Sequence, residues 1–298
     1  MWQSCAPENE VEFQLPHIRL SGRLWGAPDK PLILALHGWL DNANSFEPLA
    51  EELSSEYQVL AIDWPGHGGS EHRPGAYPLH WVDYLYDLEL LVDRLSHRQS
   101  PVAIVGHSLG GIVASAYTAA FPERVGKLVL IEAISPLFEE ASRNNQRLRH
   151  SFISHGRFLM KRDEDPAVYD SIEVAVKARM CLTGLDENWC RLLVDRNMQK
   201  HDIGVSWRSD PRLKLDSPIR LTFEQVDALM SGHSTNTLLI IADRGYSQIN
   251  TLLPKAKSWF KRLSYVELEG DHHLHMGNAV NTAKAIRDYL SADVADAD

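Results

Sequence analysis

Short apolar runs rich in valine, isoleucine and leucine recur along the chain, with stretches of helical periodicity between them. Runs that are apolar throughout, without alternation, are typical of parallel strands that are covered on both faces. The pattern therefore predicts an α/β fold with a mostly parallel eight-stranded sheet and helices on both of its faces. The clearest strands are predicted over residues 32–36, 58–62, 102–105, 128–131, 238–241 and 265–268.

The N-terminal part of the chain follows a different pattern. Residues 11–15 and 18–25 flank a turn at Pro16 and His17, and the second run alternates between apolar and polar residues. Alternation of this kind indicates a strand with one covered face. We therefore expect an antiparallel hairpin at an edge of the sheet.

Between Ile131 and Leu238 no strand pattern occurs for roughly a hundred residues. Such a stretch is too long for an ordinary connection in a compact domain. Helical periodicity appears instead at residues 171–182, 187–198 and 222–230. We interpret residues 135–217 as an inserted helical cap, and residues 1–134 with 218–298 as the core. The last residues, 291–298, are expected to be frayed.

Composition narrows the class of partner. The 298 residues include 40 acidic and 30 basic side chains, and the net charge of −10 disfavours binding to nucleic acid or to an anionic membrane. Cys5, Cys181 and Cys190 are too few for a disulfide framework and suit a reducing compartment. With neither a signal sequence nor a long apolar run, we expect a cytoplasmic protein whose partner is a small molecule; no oligomeric state is predicted.

The sequence GHSLGG at residues 106–111 follows one predicted strand and precedes a helix of small residues. A G-x-S-x-G sequence in this setting indicates a sharp strand-to-helix turn, in which glycines avoid clashes beside the strained serine. Such a turn raises Ser108 into a pocket as a nucleophile. The start of the helix presents the amide of Leu109 to a developing oxyanion.

Two further motifs follow predicted strands. HGW at residues 37–39 places the amide of Trp39 where a second oxyanion donor is needed, while His37 is expected to brace the loop. DWPGHGGS at residues 63–70 is interpreted as a structural turn, with anion binding by its glycine-rich backbone as the alternative.

The motifs HGW, DWPGHGGS and GHSLGG, in this order and spacing, resemble the α/β-hydrolase superfamily over most of the chain. HGWLDNANSF and the late GDHHLHM are similar, more narrowly, to the serine hydrolase-like proteins. The resemblance implies Ser108 as the nucleophile, an oxyanion hole formed by the amides of Trp39 and Leu109, and chemistry that needs no cofactor.

The superfamily places its catalytic histidine just after the last strand, where this chain has EGDHHLH at residues 269–275. The spacing from Gly270 favours His272 as the base, with His273 as the alternative and His275 as a support for the loop. These histidines and Asp271 could suggest a metal site. Residues so close together seldom converge on one ion, so no metal is expected.

The catalytic acid departs from the commonest arrangement, because Gly245 occupies the position where many relatives carry a carboxylate. Some members of the superfamily place the acid after the strand that follows the nucleophile helix, and Glu132 lies there. A carboxylate that ends a fully apolar strand needs a partner, and His272 would supply it. Asp243 remains the alternative acid, and either carboxylate could instead belong to a purely structural ion pair.

These residues predict a serine hydrolase that cleaves an ester or thioester of a small apolar acyl group through an acyl-enzyme on Ser108. Hydrolysis of a carbon–carbon bond and perhydrolysis are alternatives on the same triad. Dehalogenases and epoxide hydrolases of this superfamily use an aspartate nucleophile, so Ser108 disfavours both. Two functions of another class remain as alternatives: a noncatalytic protein that binds a small molecule, and a scaffold that acts through its cap.

Overall fold

The strands in the described part of the protein form one large sheet and one small sheet. The computed structural model describes residues 3–5, 9–162 and 167–292. Within these residues the strands are β1 Gln3–Cys5, β2 Glu10–Gln14, β3 Arg19–Trp25, β4 Leu32–Leu36, β5 Gln58–Ile62, β6 Ala103–His107, β7 Lys127–Ile131, β8 Val168–Tyr169, β9 Met198–His201, β10 Gly204–Trp207, β11 Asn236–Ala242 and β12 Leu263–Leu268.

The large sheet has the order β1-β2-β3-β5-β4-β6-β7-β11-β12. Its six strands from β5 to β12 are parallel, and the predicted N-terminal hairpin is confirmed as the antiparallel pair of β2 and β3. The predicted number of eight strands was wrong, since the described residues contribute nine. The additional strand is β1, whose three residues pair antiparallel with β2 but are too few to show a strand pattern in the sequence.

Helices cover both faces of the large sheet. In the described residues they are α1 Glu47–Leu53, α2 Trp81–Ser96, α3 Leu109–Ala120, α4 Asn144–Lys161, α5 Ile172–Thr183, α6 Glu187–Asn197, α7 Phe223–Met230, α8 Ser247–Trp259, α9 Leu274–Gly277 and α10 Ala279–Ser291. One buried cluster packs α2, α3 and α8 against one face, and a second packs α1 and α10 against the other. The α/β class predicted from the apolar runs is confirmed.

The long segment between β7 and β11 contains α4, α5 and α6 together with the small sheet, whose order is β8-β10-β9. A separate buried cluster that includes Val176, Leu193 and Val205 holds α5 and α6 against this sheet. The division into a core and a cap of residues 135–217 stays a prediction. The predicted cap was purely helical, and the small sheet was not predicted, because its strands have only two to four residues each and are too short to show a strand pattern.

Other predictions concern the membrane, the thiols and the C-terminus. Among the residues that the structure covers, no helix is long and apolar enough to cross a bilayer. Cys181 and Cys190 are free thiols. The predicted frayed tail lies, from residue 293 onward, outside the described residues.

Candidate active site

The turn between β6 and α3 holds Ser108 in the strained conformation that the GHSLGG sequence predicts. Its backbone has φ 49° and ψ −117°, a combination that side chains other than glycine rarely adopt. A Cβ atom at Gly106 would lie 2.6 Å from the Gly110 carbonyl oxygen, and one at Gly110 would lie 1.9 Å from the Leu36 carbonyl oxygen. Both glycines are therefore required for the helix to approach β6 and β4 so closely.

The two amides predicted to bind an oxyanion lie at the ends of neighbouring strands. Leu109 is the first residue of α3, so its N–H has no acceptor within the helix. Trp39 follows the end of β4, and its indole Nε1 donates to the Leu213 carbonyl oxygen at 2.9 Å. That contact holds the side chain of Trp39 against the segment between β10 and α7. The oxyanion role of both amides stays a prediction.

His37 braces the loop that carries Trp39. Its Nε2 accepts from the Trp64 amide at 3.0 Å, which leaves the proton on Nδ1 to donate to the Gly38 carbonyl oxygen at 2.7 Å. Burial lowers the pKa of His37, so the ring is neutral in this role. Both ring nitrogens are occupied by backbone groups, which agrees with a bracing residue.

The DWPGHGGS motif is organised around the buried carboxylate of Asp63. Asp63 accepts from the amides of Ala43 and Gly69 at 2.8 Å each and forms an ion pair with Arg196 at 2.8 Å. A Cβ atom at Gly68 would lie 2.3 Å from the Asp63 carboxyl carbon. The loop thus surrounds an internal anion, and this favours the structural interpretation over binding of an external one.

Glu132 lies at the end of β7, with its side chain fully buried and its backbone at φ 52°. Its Oε1 accepts from the Ala242 amide at 2.7 Å, and its Oε2 accepts from the Tyr246 amide at 3.0 Å. The same Oε2 lies 3.3 Å from Nδ1 of His272. Glu132 thus reaches across the end of β11 to meet a histidine that follows β12.

The loop after β11 leaves the space that Glu132 needs. A Cβ atom at Gly245 would lie 2.2 Å from Oε2 of Glu132, so a side chain at this position would collide with the carboxylate. The alternative acid, Asp243, has other partners: its Oδ1 accepts from the Gly270 amide at 2.8 Å, and its Oδ2 lies 3.3 Å from Arg244. The carboxylate of Glu132 therefore occupies the region beside residue 245, and that of Asp243 braces the histidine loop.

Aromatic contacts and a backbone hydrogen bond position His272. Its ring centroid lies 4.0 Å from that of Tyr246 and 4.7 Å from that of His107. His107 Nε2 lies 2.8 Å from the carbonyl oxygen of His272, which can only accept. The structure therefore brings Glu132 to His272, and it places both at the edge of the sheet where Ser108 emerges. The assignment of catalytic roles stays a prediction.

The alternative base belongs to a second buried network centred on Asp41. Nε2 of His273 lies 3.3 Å from Asp41 Oδ2, and Arg179 of α5 donates to Asp41 Oδ1 at 2.5 Å. Burial alone would raise the pKa of Asp41, but His273 and Arg179 outweigh it and hold the pKa well below its usual range. His273 thus pairs with a different carboxylate from His272.

His275 packs inside the histidine loop, as a support for that loop would. Its ring is fully buried, 4.0 Å from the ring centroid of His107 and 5.2 Å from that of Phe46. Burial, followed by the charge of His273, lowers the pKa of His275 well below its usual range. The ring is therefore a neutral packing element.

Sequence reasoning missed several residues of this region. Asp41 lies in the HGWLDNANSF sequence and His107 lies in GHSLGG. The signal that could have indicated a role for His107 is its position directly before Ser108. Tyr246 follows a strand end by a few residues, without a motif of its own. Arg179 gives no signal at all, because it lies 138 positions from Asp41 in the chain and meets it only through the packing of α5.

Comparisons with known proteins show the family of the chain. Residues 31–159 match the family described as alpha/beta hydrolase fold. A serine hydrolase-like protein of Homo sapiens is 30% identical over 188 residues, which cover 61% of this chain and 91% of that protein. The chain belongs to the α/β-hydrolase superfamily. A serine hydrolase-like protein of Danio rerio is similar to this α/β-hydrolase over 95% of the chain and 88% of its own length, at 29% identity.

A solved structure resembles the α/β-hydrolase over its whole length. The crystal structure of a hypothetical protein from Pseudomonas aeruginosa PAO1 aligns with a TM-score of 0.84 and 32% sequence identity. The alignment covers 95% of this chain and 100% of that one. The fold and the serine hydrolase-like relatives together support a hydrolase.

Proposed function

We propose that this α/β-hydrolase is a serine esterase or thioesterase that works through an acyl-enzyme on Ser108. The observation that carries the proposal is the contact between Glu132 Oε2 and His272 Nδ1 at 3.3 Å, on the same sheet edge as the strained Ser108. A carboxylate beside Nδ1 holds the proton there and leaves Nε2 as the basic nitrogen. That tautomer is the one that can accept a proton from a serine hydroxyl.

The proposed reaction has two steps, the acylation and the deacylation of Ser108. Ser108 Oγ attacks the acyl carbon while its proton passes to His272, and the tetrahedral oxyanion accepts from the amides of Trp39 and Leu109. His272 then protonates the departing alkoxide or thiolate, leaving an ester on Ser108. A water molecule repeats the attack, with His272 again as the base, and releases the carboxylic acid.

Glu132 acts as the acid member of the proposed triad. It receives two backbone hydrogen bonds besides the contact with His272, so its carboxylate is fixed before the substrate binds. Fixed charges that need no reorganisation stabilise the imidazolium formed in the transition state more effectively than mobile ones. Two backbone amides and one imidazole also satisfy a carboxylate that would otherwise be costly to bury.

The experiment is an activity screen of the wild-type protein beside Ser108→Ala, on p-nitrophenyl esters and acyl-CoA thioesters of increasing chain length. We expect turnover by the wild type, with a preference among acyl lengths, and none above background by Ser108→Ala. Circular dichroism must show that the variant is folded. Wild-type hydrolysis by folded Ser108→Ala would contradict the proposal, as would the absence of turnover on every ester and thioester.

A further inference from the structure

Three potential metal ligands converge beside the proposed triad from distant parts of the chain. They are Asp41 in the loop after β4, His107 at the end of β6 and His273 just before α9. Oδ2 of Asp41 lies 3.7 Å from Nδ1 of His107 and 3.3 Å from Nε2 of His273. The three ligand atoms all lie within 4.8 Å of one another, and only His273 is partly exposed.

The hydrogen bonds of His107 fix which of its nitrogens carries the proton. Nε2 lies 2.8 Å from the carbonyl oxygen of His272, so it must donate, and Nδ1 of the neutral ring then has a free lone pair.

The lone pair of His107 faces a second electron-rich atom. Within the described residues Nδ1 is buried and has no hydrogen-bond partner, and Oδ2 of Asp41 is 3.7 Å away. That separation is too long for a hydrogen bond, and two acceptors cannot satisfy each other. A buried polar atom without a partner is costly, so its orientation toward a carboxylate needs an explanation.

A divalent transition-metal ion would satisfy this arrangement. Metal–ligand distances of about 2.0–2.1 Å in a tetrahedron place neighbouring donors roughly 3.3 Å apart, close to the separations from Asp41 Oδ2. Ligating histidines usually donate their other N–H to a carbonyl or carboxylate, as His107 does to His272. Gly38 adds no side chain here, and a Cβ atom at that position would lie 3.0 Å from both Asp41 Oδ2 and His107 Nδ1.

We propose that Asp41, His107 and His273 form a binding site for Zn²⁺, and that occupation of the site inhibits the hydrolase. Arg179 holds Oδ1 of Asp41 and so leaves Oδ2 directed at the two imidazoles. His273 binds through Nε2, and its proton moves to Nδ1. A water molecule completes the tetrahedron. Of the histidine cluster after β12, only His273 is a ligand.

Inhibition follows from the charge of the ion and rests on the proposed function. The ring of His272 lies 4.7 Å from the His107 ring and 5.3 Å from the His273 ring, between centroids. A cation held by those two rings opposes the positive charge that His272 gains in the transition state. For a net charge of one at about this separation we expect kcat to fall roughly tenfold to a hundredfold.

The binding test is a calorimetric titration of the full-length chain with Zn²⁺. It uses Cys181→Ser protein, because Cys181 is a free, exposed thiol and thiolates are good zinc ligands that would add a second binding process. We expect one ion per chain, and affinity at least tenfold weaker when His273→Gln is added. The matched control is His97→Gln, since His97 lies 3.7 Å from Asp93 in an exposed pair and should leave the affinity unchanged.

A second test, by NMR, needs no substitution of a metal-ligating residue. In the Cys181→Ser protein, ring ¹⁵N resonances of His107 and His273 should shift on addition of one equivalent of Zn²⁺, while that of His97 should not. The site is refuted if the folded protein binds no stoichiometric zinc, if His273→Gln binds as tightly as its parent, or if neither ring signal moves.

The inhibition test measures kcat on a p-nitrophenyl ester with and without saturating Zn²⁺. The loss should be reversed by a chelator and should shrink in His273→Gln at the same zinc concentration. Zinc that binds without lowering kcat would overturn the inhibitory role. If no substrate is turned over at all, the proposed function fails, while the calorimetry and the ring resonances still decide whether the metal site exists.

Discussion

Ser108 and Glu132 both hold left-handed backbone conformations, with φ of 49° and 52°. Residues in such conformations cost of order 1–3 kcal/mol each and persist only where their surroundings enforce them. The Ser108 amide donates to the Ile131 carbonyl oxygen, and the Glu132 amide donates to the Ile240 carbonyl oxygen, each at 3.0 Å. Each strained residue is therefore tied to the neighbouring strand, and the strain lies at the two side chains whose direction the proposed chemistry depends on.

Removing the charge of Glu132 should impair catalysis more than binding. Glu132→Gln keeps the size of the side chain but weakens its hold on the Nδ1 proton of His272. We expect kcat to fall by roughly two to four orders of magnitude with little change in KM. Steady-state kinetics on an ester that the wild type cleaves provides the measurement.

Asp243→Asn is the matched control for Glu132→Gln, because Asp243 contacts the histidine loop through the Gly270 amide and not through an imidazole. Its effect on kcat should be much smaller. The opposite ranking of the two folded variants would show that Asp243 is the acid.

Adding one methyl group at Gly245 should displace the Glu132 carboxylate. The new Cβ would lie 2.2 Å from Oε2, so Gly245→Ala should lower kcat although the alanine carries no functional group. Gly156→Ala is the control, because no atom lies within 4 Å of a Cβ there, and alanine within α4 should raise stability by roughly 0.5–1 kcal/mol. Full activity in folded Gly245→Ala would show that the carboxylate can be moved without consequence.

The residues of the site differ in how far the sequence could predict them. Glu132 was predicted from the absence of a carboxylate at residue 245 together with a charge at the end of an apolar strand. The structure adds that residue 245 must be a glycine, because a side chain there would collide with the Glu132 carboxylate. The sequence could not show this, because the collision depends on the path of the loop in three dimensions. The contacts of Asp41 with Arg179 and His273 could not be predicted, since they join segments far apart in the chain.

Among the elements, α6 joins the segment between β7 and β11 to the loop that follows β4 and to the DWPGHGGS motif. Asn42 donates to the Leu193 carbonyl oxygen at 2.8 Å, and Asn44 donates to the Leu192 carbonyl oxygen at 2.9 Å. Arg196, near the end of the helix, bonds to the buried carboxylate of Asp63. The loop of the predicted oxyanion donor Trp39 and α6 are therefore joined by polar contacts, each of them between groups that would be costly to leave unpaired.

Removing the positive charge of Arg196 should destabilise the protein. Arg196→Met leaves Asp63 buried without its cation, and removal of one partner of a buried pair costs about 3–5 kcal/mol. Arg191→Met, on the same helix, removes exposed pairs with Glu173 and Glu187 and should cost less than about 1 kcal/mol. Urea unfolding compares the two, and equal losses would contradict the account of the α6 interface.

Elements were predictable where burial produces an unbroken apolar run. Residues 32–36 and 58–62 were predicted with the observed bounds because all their side chains are buried. The hairpin of β9 and β10 was not predicted, because most of β9 is exposed and a sequence such as MQKH carries no apolar pattern. Its pairing depends on α5 and α6, whose contacts a local window of sequence does not contain.

At the scale of the whole molecule, several buried histidines make stability depend on pH. Burial lowers the pKa of His67 to about 3, and it also lowers those of His37, His107 and His275. The unfolded chain binds protons at these histidines below about pH 6.5, whereas the folded chain does not. The free energy of unfolding is therefore greatest above pH 6.5 and falls as the pH decreases.

His275 offers a direct test of this dependence, because both of its ring nitrogens lack hydrogen-bond partners in the described part of the chain. His275→Leu should reduce the slope of unfolding free energy against pH by up to about 1.4 kcal/mol per unit between pH 5 and 6.5. Urea unfolding at several pH values gives the slope. His97→Gln, which alters a ring on the surface, should keep the wild-type slope, and an unchanged slope in His275→Leu would refute the assignment.

In the proposed mechanism a single activated serine, Ser108, carries out the hydrolysis. Treatment of the native chain with a fluorophosphonate probe, followed by intact and peptide mass spectrometry, shows whether that serine is reactive. We expect one adduct per chain, on the peptide that contains Ser108, and no adduct on folded Ser108→Ala. The mechanism is wrong if the wild-type protein stays unlabelled or if the Ser108→Ala variant is labelled to the same extent.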